Sequence, residues 1–189
     1  MCALVERWGG LGPWRRWLAA GARGRVLDVG CGTGRNLPHL PDTTVGLDPS
    51  WPSLMAARRR APRARLVMAD AEALPFRTAS FDTVVDGLVF CSVPDAARGL
   101  AEVRRVLRPD GELRAMEHVR ATGTWYARWQ DLIQPAWTRL SGGCHPNRDT
   151  ESAVERAGLS IRREDRRAKG TLRRFAARPV HTPAPHGRV

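Results

Sequence analysis

Between Val26 and Gly34 the chain reads Val-Leu-Asp-Val-Gly-Cys-Gly-Thr-Gly, a short apolar run followed by glycine at every second position. Few backbones accept that pattern. The apolar run predicts a strand buried on both faces, as in parallel sheets. The glycines at 30, 32 and 34 permit a sharp turn and a close approach of backbone to a ligand. A turn of this kind lies at the carboxyl end of an open α/β sheet, where such folds bind their ligands.

The rest of the chain continues the theme. Strands are expected at Arg25–Val29, Thr44–Asp48, Arg65–Ala69, Thr83–Gly87 and Glu112–Val119, with helices at 34–40, 53–60 and 95–107 between them. Strand–helix alternation of this kind predicts a mostly parallel sheet covered on both faces. Beyond it, a Trp-rich helix over Trp125–Leu140, a Gly-Gly-Cys-His loop and a helix over Asp149–Ala157 precede two strands near Leu159–Asp165 and Thr171–Ala177. The expectation is one α/β domain over residues 1–178. Residues 1–22 form an amphipathic cap bearing Trp8, Trp14 and Trp17, and 179–189 a disordered tail.

Composition narrows the functional classes. No apolar stretch approaches the ~18 residues of a membrane span, and no signal peptide is evident. Cys2, Cys31, Cys91 and Cys144 are scattered without C-x-x-C spacing. Neither a disulfide framework nor a metal centre is therefore expected, and a reducing cytoplasm is. The net charge of +12 raises nucleic acid as a partner. However, Lys169 is the sole lysine and the arginines are spread along the chain, which favours a compositionally biased, solvated surface.

Two acidic positions complement the glycine turn. Asp48 ends the second strand and can accept hydrogen bonds from both hydroxyls of a ribose. Asp70-Ala71-Glu72, just past the third strand, is placed to meet an adenine edge. The spacing is G-x-G-x-G, with Arg35 where the dinucleotide fingerprint G-x-G-x-x-G needs glycine, and the Walker lysine is absent.

These residues resemble a known family. Asp28-x-Gly30-x-Gly32-x-Gly34 is similar to motif I of Rossmann-like class I methyltransferases, and Gly46-Leu47-Asp48-Pro49-Ser50 to the acidic segment after it. Asp70 to Phe76 resembles the adenine-side motif, Phe81 to Val85 the fourth strand, and Leu107 to Leu113 the turn into the fifth. The resemblance implies a doubly wound seven-stranded sheet ending in an antiparallel hairpin. It also implies S-adenosylmethionine as methyl donor, with S-adenosylhomocysteine as product. By that match Gly30, Gly32, Gly34 and Asn36 line the methionine side, Asp48 the ribose, and Asp70 with Ala71 the adenine; Asp28, Pro49 and Gly87 complete the expected cofactor set.

A narrower resemblance rests on Leu88 to Val93, Glu117-His118-Val119 and Gly143 to Arg148, which are similar to segments of the microsomal alkyl thiol methyltransferase group. It implies a small, fairly apolar acceptor methylated on sulfur, with O-, N- or C-methylation as the wider possibility. The hydrophobic N-terminal anchor of that group is missing, although the Trp-rich segment is suited to peripheral membrane contact. His118, at the end of the fifth strand, is the first candidate base and His145, on the glycine-hinged loop, the second. Trp125, Trp129 and Trp137 are expected to pack on the sheet as one helical stripe. Of the adjacent pair Gln130 and Asp131, only one can point inward. Asp86, on a buried strand, must be paired or lie by the cofactor. An RNA methyltransferase and a non-catalytic S-adenosylmethionine-binding protein are the alternative readings. The sequence indicates no oligomeric state.

Overall fold

The computed structural model describes residues 10–180. The strands are Val26–Val29 (β1), Val45–Asp48 (β2), Arg65–Met68 (β3), Phe81–Gly87 (β4), Leu107–His118 (β5), Leu159–Lys169 (β6) and Leu172–Pro179 (β7). The helices are Leu11–Ala20 (α1), Trp51–Arg60 (α2), Ala96–Val106 (α3), Thr124–Ser141 (α4) and Thr150–Arg156 (α5). One sheet holds all seven strands in the order β3-β2-β1-β4-β5-β7-β6. Strands β1 to β5 run parallel, and β7 lies antiparallel between β5 and β6. The chain winds outward from β1 to β3, then returns to lay β4 on the other side of β1. That reversal opens a crevice at the carboxyl ends of β1 and β4.

Strand alternation divides the core between the two faces. Leu27, Val29, Val84, Leu113 and Ala115 point to one cluster, which α3 and α5 cover with Leu100, Val103 and Val154. Val26, Val85 and Met116 point to the other, beneath Leu18 of α1 and Ala57 of α2. The helices begin where local chemistry predicts. The side chain of Ser50 accepts from Ser53 N at 3.3 Å, Asp95 from Arg98 N at 3.0 Å, and Asp149 from Ser152 N at 3.2 Å. Each satisfies an otherwise unpaired N–H of a first turn.

Arg114 of β5 fastens α1 to the sheet. Its guanidinium donates to the carbonyls of Trp17 (2.6 Å) and Leu18 (3.0 Å) and stacks over the Trp17 ring at 4.0 Å. A cation near a helix C-terminus and on an aromatic face is favourable on both counts. Trp14 and Trp17 thus have a packing role, while Cys2, Trp8 and residues 181–189 lie outside the described residues.

Two expectations change. The helix expected over 34–40 contracts to a single 3₁₀ turn, Leu37–His39. Gly34 enters with φ +76°, Pro38 has no N–H to donate, and Pro41 stops the chain. The turn into the fifth strand, expected within Leu107–Leu113, lies inside β5, where Phe81 faces Leu107 but Thr83 faces Glu112, so the intervening residues bulge out.

Candidate active site

The glycine turn delivers the geometry its sequence requires. Gly30 has φ +58°, and a Cβ there would stand 2.5 Å from Cγ2 of Val89. A Cβ on Gly34 would meet the backbone of α2 at Ala57, 2.9 Å away. Asp48 closes the turn from the neighbouring strand: Oδ2 accepts from Gly32 N and Oδ1 from Ser50 N, both at 2.9 Å. Each oxygen keeps acceptor capacity for a ligand. Beside this clasp lies a cleft of ≈ 400 Å³.

Gly30, Gly32, Asp48, Pro49, Asp70 and Ala71 all line the cleft. Glu72, which the sequence reading placed there as well, also binds Asp95 N at the head of α3 (2.8 Å). The facing wall is apolar, with Leu88, Val89 and Val93. Asp28, Gly34, Asn36 and Gly87 do not line it; Gly34 ends the turn against Ala57 of α2, and Asp28, Asn36 and Gly87 cluster behind it. There Arg15 donates to Asn36 Oδ1 at 2.5 Å, and Asn36 donates to Asp28 Oδ1 at 3.2 Å. Complete burial pushes Asp28 up to about 7 against the pull of Asn36 and Arg15. Its Oδ2 has no hydrogen-bond partner.

On the far side, three segments distant in sequence converge. Glu117 of β5 accepts from Val89 N (2.6 Å), Phe90 N (2.7 Å) and Cys91 N (2.9 Å), holding the loop after β4 by its backbone. Arg148 grips the same loop at the carbonyls of Phe90 (2.9 Å) and Val93 (2.5 Å), and His145 N donates to Cys91 O at 2.6 Å. The loop begins with Leu88 at φ +69°, a strained conformation for a branched residue. Asp86 Oδ1 accepts from Val89 N at 3.1 Å, while its buried Oδ2 has no hydrogen-bond partner. Burial, and then the Glu117 carboxylate, push it well above the usual carboxylate range.

Neither candidate base lines the cleft. His118 is buried at the end of β5, its Nδ1 3.6 Å from Cys144 Sγ. His145 accepts from Gln134 Nε2 at 2.8 Å, and burial and then Arg148 lower its pKa. Gln130 is the inward member of its pair, bonded to Ala121 N (2.7 Å) and Pro146 O (2.8 Å), while Asp131 faces out against Arg120 and Asn147. The tryptophan stripe divides. Trp137 packs on the second cluster, but Trp125 and Trp129 are 79% and 44% exposed. Eight residues overshoot two helical turns by about 80°, so Trp129 and Trp137 face different ways. The sequence also concealed a cluster: Cys91, His118 and Cys144, all buried, hold their donor atoms within 4.8 Å of one another. Their spacing along the chain carries no ligand signature, and only the convergence of the loops creates the group.

Comparison with known proteins agrees with this geometry. The family model described as "Methyltransferase domain" matches residues 27–115, from β1 to the middle of β5. The human thiol S-methyltransferase TMT1A is 39% identical over 153 residues, covering 75% of this chain and 63% of the relative. Over residues 27–115 the chain is similar to the methyltransferases, and its seven-stranded sheet has their Rossmann-like fold. A solved S-adenosylmethionine-dependent methyltransferase from Mesorhizobium loti shares the fold (TM-score 0.69, 21% identity, covering 89% of this chain and 97% of that one). So does the [4+2]-cyclase SpnF (TM-score 0.69, 19% identity, 90% and 81%). The chain spans less than two thirds of the human relative's length.

The residues fit the donor of this methyltransferase family. The carboxylate of Asp48 faces a cleft of adequate size for a nucleoside ligand. Gly30 lines it without a side chain, as the packing of Val89 against its backbone requires, and the buried Asp28 Oδ2 behind the turn lacks a hydrogen-bond partner.

Proposed function

We propose that this chain is an S-adenosylmethionine-dependent methyltransferase acting on a small, fairly apolar thiol. The observation that carries the reading is a convergence behind the apolar wall of the cleft. Residues 117–119 and 143–148 grip the 88–93 loop, all three segments being similar to the alkyl thiol methyltransferases, and that loop lines the cleft together with Gly32 and Asp48. Identity to a thiol S-methyltransferase over three quarters of the chain supports the same acceptor.

When bound, S-adenosylmethionine supplies a methyl group on a positively charged sulfur. The chain's own residues bind, orient and dehydrate. Asp48 would hold the ribose, Asp70 and Ala71 would flank the adenine, and the glycine turn, backed by Asp28, would receive the methionine end. Leu88, Val89 and Val93 keep water from the reacting atoms. Proximity in a dry cleft supplies most of the acceleration such a displacement needs. A thiol of pKa ~8.5 is already a few per cent thiolate at neutral pH, so no strong base is demanded. That suits a cleft with no histidine in its lining. The free thiols of Cys31, Cys91 and Cys144 suit a reducing, cytoplasmic setting. No described helix is long and apolar enough to cross a membrane.

The test is methyl transfer from labelled S-adenosylmethionine to an alkyl thiol, followed by mass spectrometry. The expected products are the methyl thioether and S-adenosylhomocysteine. Cofactor binding without a thioether moves the acceptor to phenols, amines or quinone precursors. Cofactor binding with no acceptor turned over would instead sustain a non-catalytic S-adenosylmethionine-binding role.

A further inference from the structure

We propose that Cys91, His118 and Cys144 bind a zinc-type divalent ion and leave one coordination position for the thiolate of the acceptor. Cys144 Sγ lies 3.6 Å from His118 Nδ1, and all three donor atoms fall within 4.8 Å of one another. Around a tetrahedral zinc, with sulfur at ~2.3 Å and nitrogen at ~2.0 Å, neighbouring donors stand roughly 3.5–3.8 Å apart. Closing the cluster on an ion therefore takes only small side-chain movements. Two thiolates and an imidazole are the soft donor set that selects zinc over magnesium or calcium. Three protein ligands are the number found where a fourth position stays open for chemistry.

The ligands are held by a stiff surround. Cys91 is fixed through its N–H to Glu117 (2.9 Å) and its carbonyl to His145 N (2.6 Å). The Cys144 carbonyl accepts from Thr138 Oγ1 at 3.0 Å. Leu88, Met116 and Trp137 belong to the apolar cluster that contains both cysteines. A low-dielectric shell strengthens ligation and limits exchange with water. Without an ion, two thiols and an imidazole satisfy one another only through weak sulfur contacts. The cluster also adjoins the cleft. Ser92, whose Oγ is 3.6 Å from Cys91 Sγ, lines it, as does Gly142, two residues before Cys144.

The role of the fourth position rests on the thiol-acceptor reading. Metal uptake deprotonates Cys91 and Cys144 and takes the Nδ1 lone pair of a neutral His118. An acceptor thiol entering the open position loses its S–H proton to solvent as a sulfur lone pair forms the metal–sulfur bond. The remaining lone pairs stay available to the methyl group. Acceptor activation is thereby assigned to the ion, and His118 acts as its ligand.

The experiment is a titration of reduced, metal-stripped protein with Co²⁺ and Zn²⁺, with no methyl donor present. The expected result is one equivalent of Co²⁺ showing thiolate-to-metal absorption and the visible bands of a tetrahedral ion, displaced by Zn²⁺. Alkyl thiol should then shift the cobalt bands. In the Cys91→Ser/Cys144→Ser variant affinity should fall by more than the roughly 10–100-fold lost with an outer-shell partner, and His118→Gln, checked for folding by circular dichroism, should do the same. Absence of stoichiometric uptake by the wild type overturns the proposal whether or not the variants fold. So does a Cys91–Cys144 disulfide formed on mild oxidation of a protein that takes up no metal. Uptake that is indifferent to added thiol overturns the open position. Because none of these readouts uses the methyl donor, failure of thiol methylation is registered separately.

Discussion

Asp48 does two jobs with one carboxylate. It stitches the glycine turn to β2 through Gly32 N and Ser50 N, and its remaining lone pairs face the cleft. Asp48→Ala should weaken S-adenosylmethionine binding by ~1–3 kcal/mol by calorimetry; unchanged affinity would remove Asp48 from the cofactor site. Asp28 makes a prediction about pH. Its folded pKa of about 7 lies above the ~3.9 of an unfolded aspartate. Between those values the native state holds a proton that the unfolded state has released, so unfolding free energy falls as pH rises, by at most roughly 1.4 kcal/mol per unit. In urea titrations of the cofactor-free protein, Asp28→Asn should flatten this slope between pH 5 and 7. An identical slope in the variant would mean that Asp28 folds as a carboxylate.

At the scale of elements, the loop after β4 owes its shape to a side chain on another strand. Glu117 gathers three N–H groups, as anions do when bound by successive backbone amides. Glu117→Gln replaces one acceptor oxygen by a donor and sets it against an N–H. The expected cost is ~1–3 kcal/mol, read as a lower Tm. Helix α4 behaves in the opposite way. Its buried face is Ala127, Gln130 and Ser141, whereas Trp125, Trp129, Leu132 and Leu140 are exposed. Trp125→Ser should therefore change stability by no more than ~0.5 kcal/mol in denaturant titrations. A larger loss would mean that this face is covered in solution.

Across the molecule the excess of arginine is partly structural. Arg114, Arg162 and Arg178 converge on Glu112 at 2.8, 3.1 and 3.2 Å, joining β5, β6 and β7. Their surround holds the Glu112 carboxyl below its usual range despite burial. Arg114 then carries that network to α1. Arg114→Met should cost ~1–3 kcal/mol and raise hydrogen exchange in α1 before the sheet opens. Uniform exchange across both would show α1 to unfold only with the whole domain.

The sequence by itself determined the sheet and the glycine turn with the carboxylate that closes it. Apolar runs of four or five residues, glycines at alternate positions and carboxylates at strand ends are local signals, and β1, β2 and the Gly30–Gly34 turn depend on little else. It also marked Glu117-His118 and Cys144-His145 as segments worth attention. It could not say that they meet. The grip of Glu117 on residues 89–91 joins groups more than two dozen positions apart, as does the contact of His118 with Cys144. The outward turn of Trp125 and Trp129 depends on which face of α4 the loops bury. Those outcomes are decided by packing between elements, because no local pattern records which buried donors will share a neighbour.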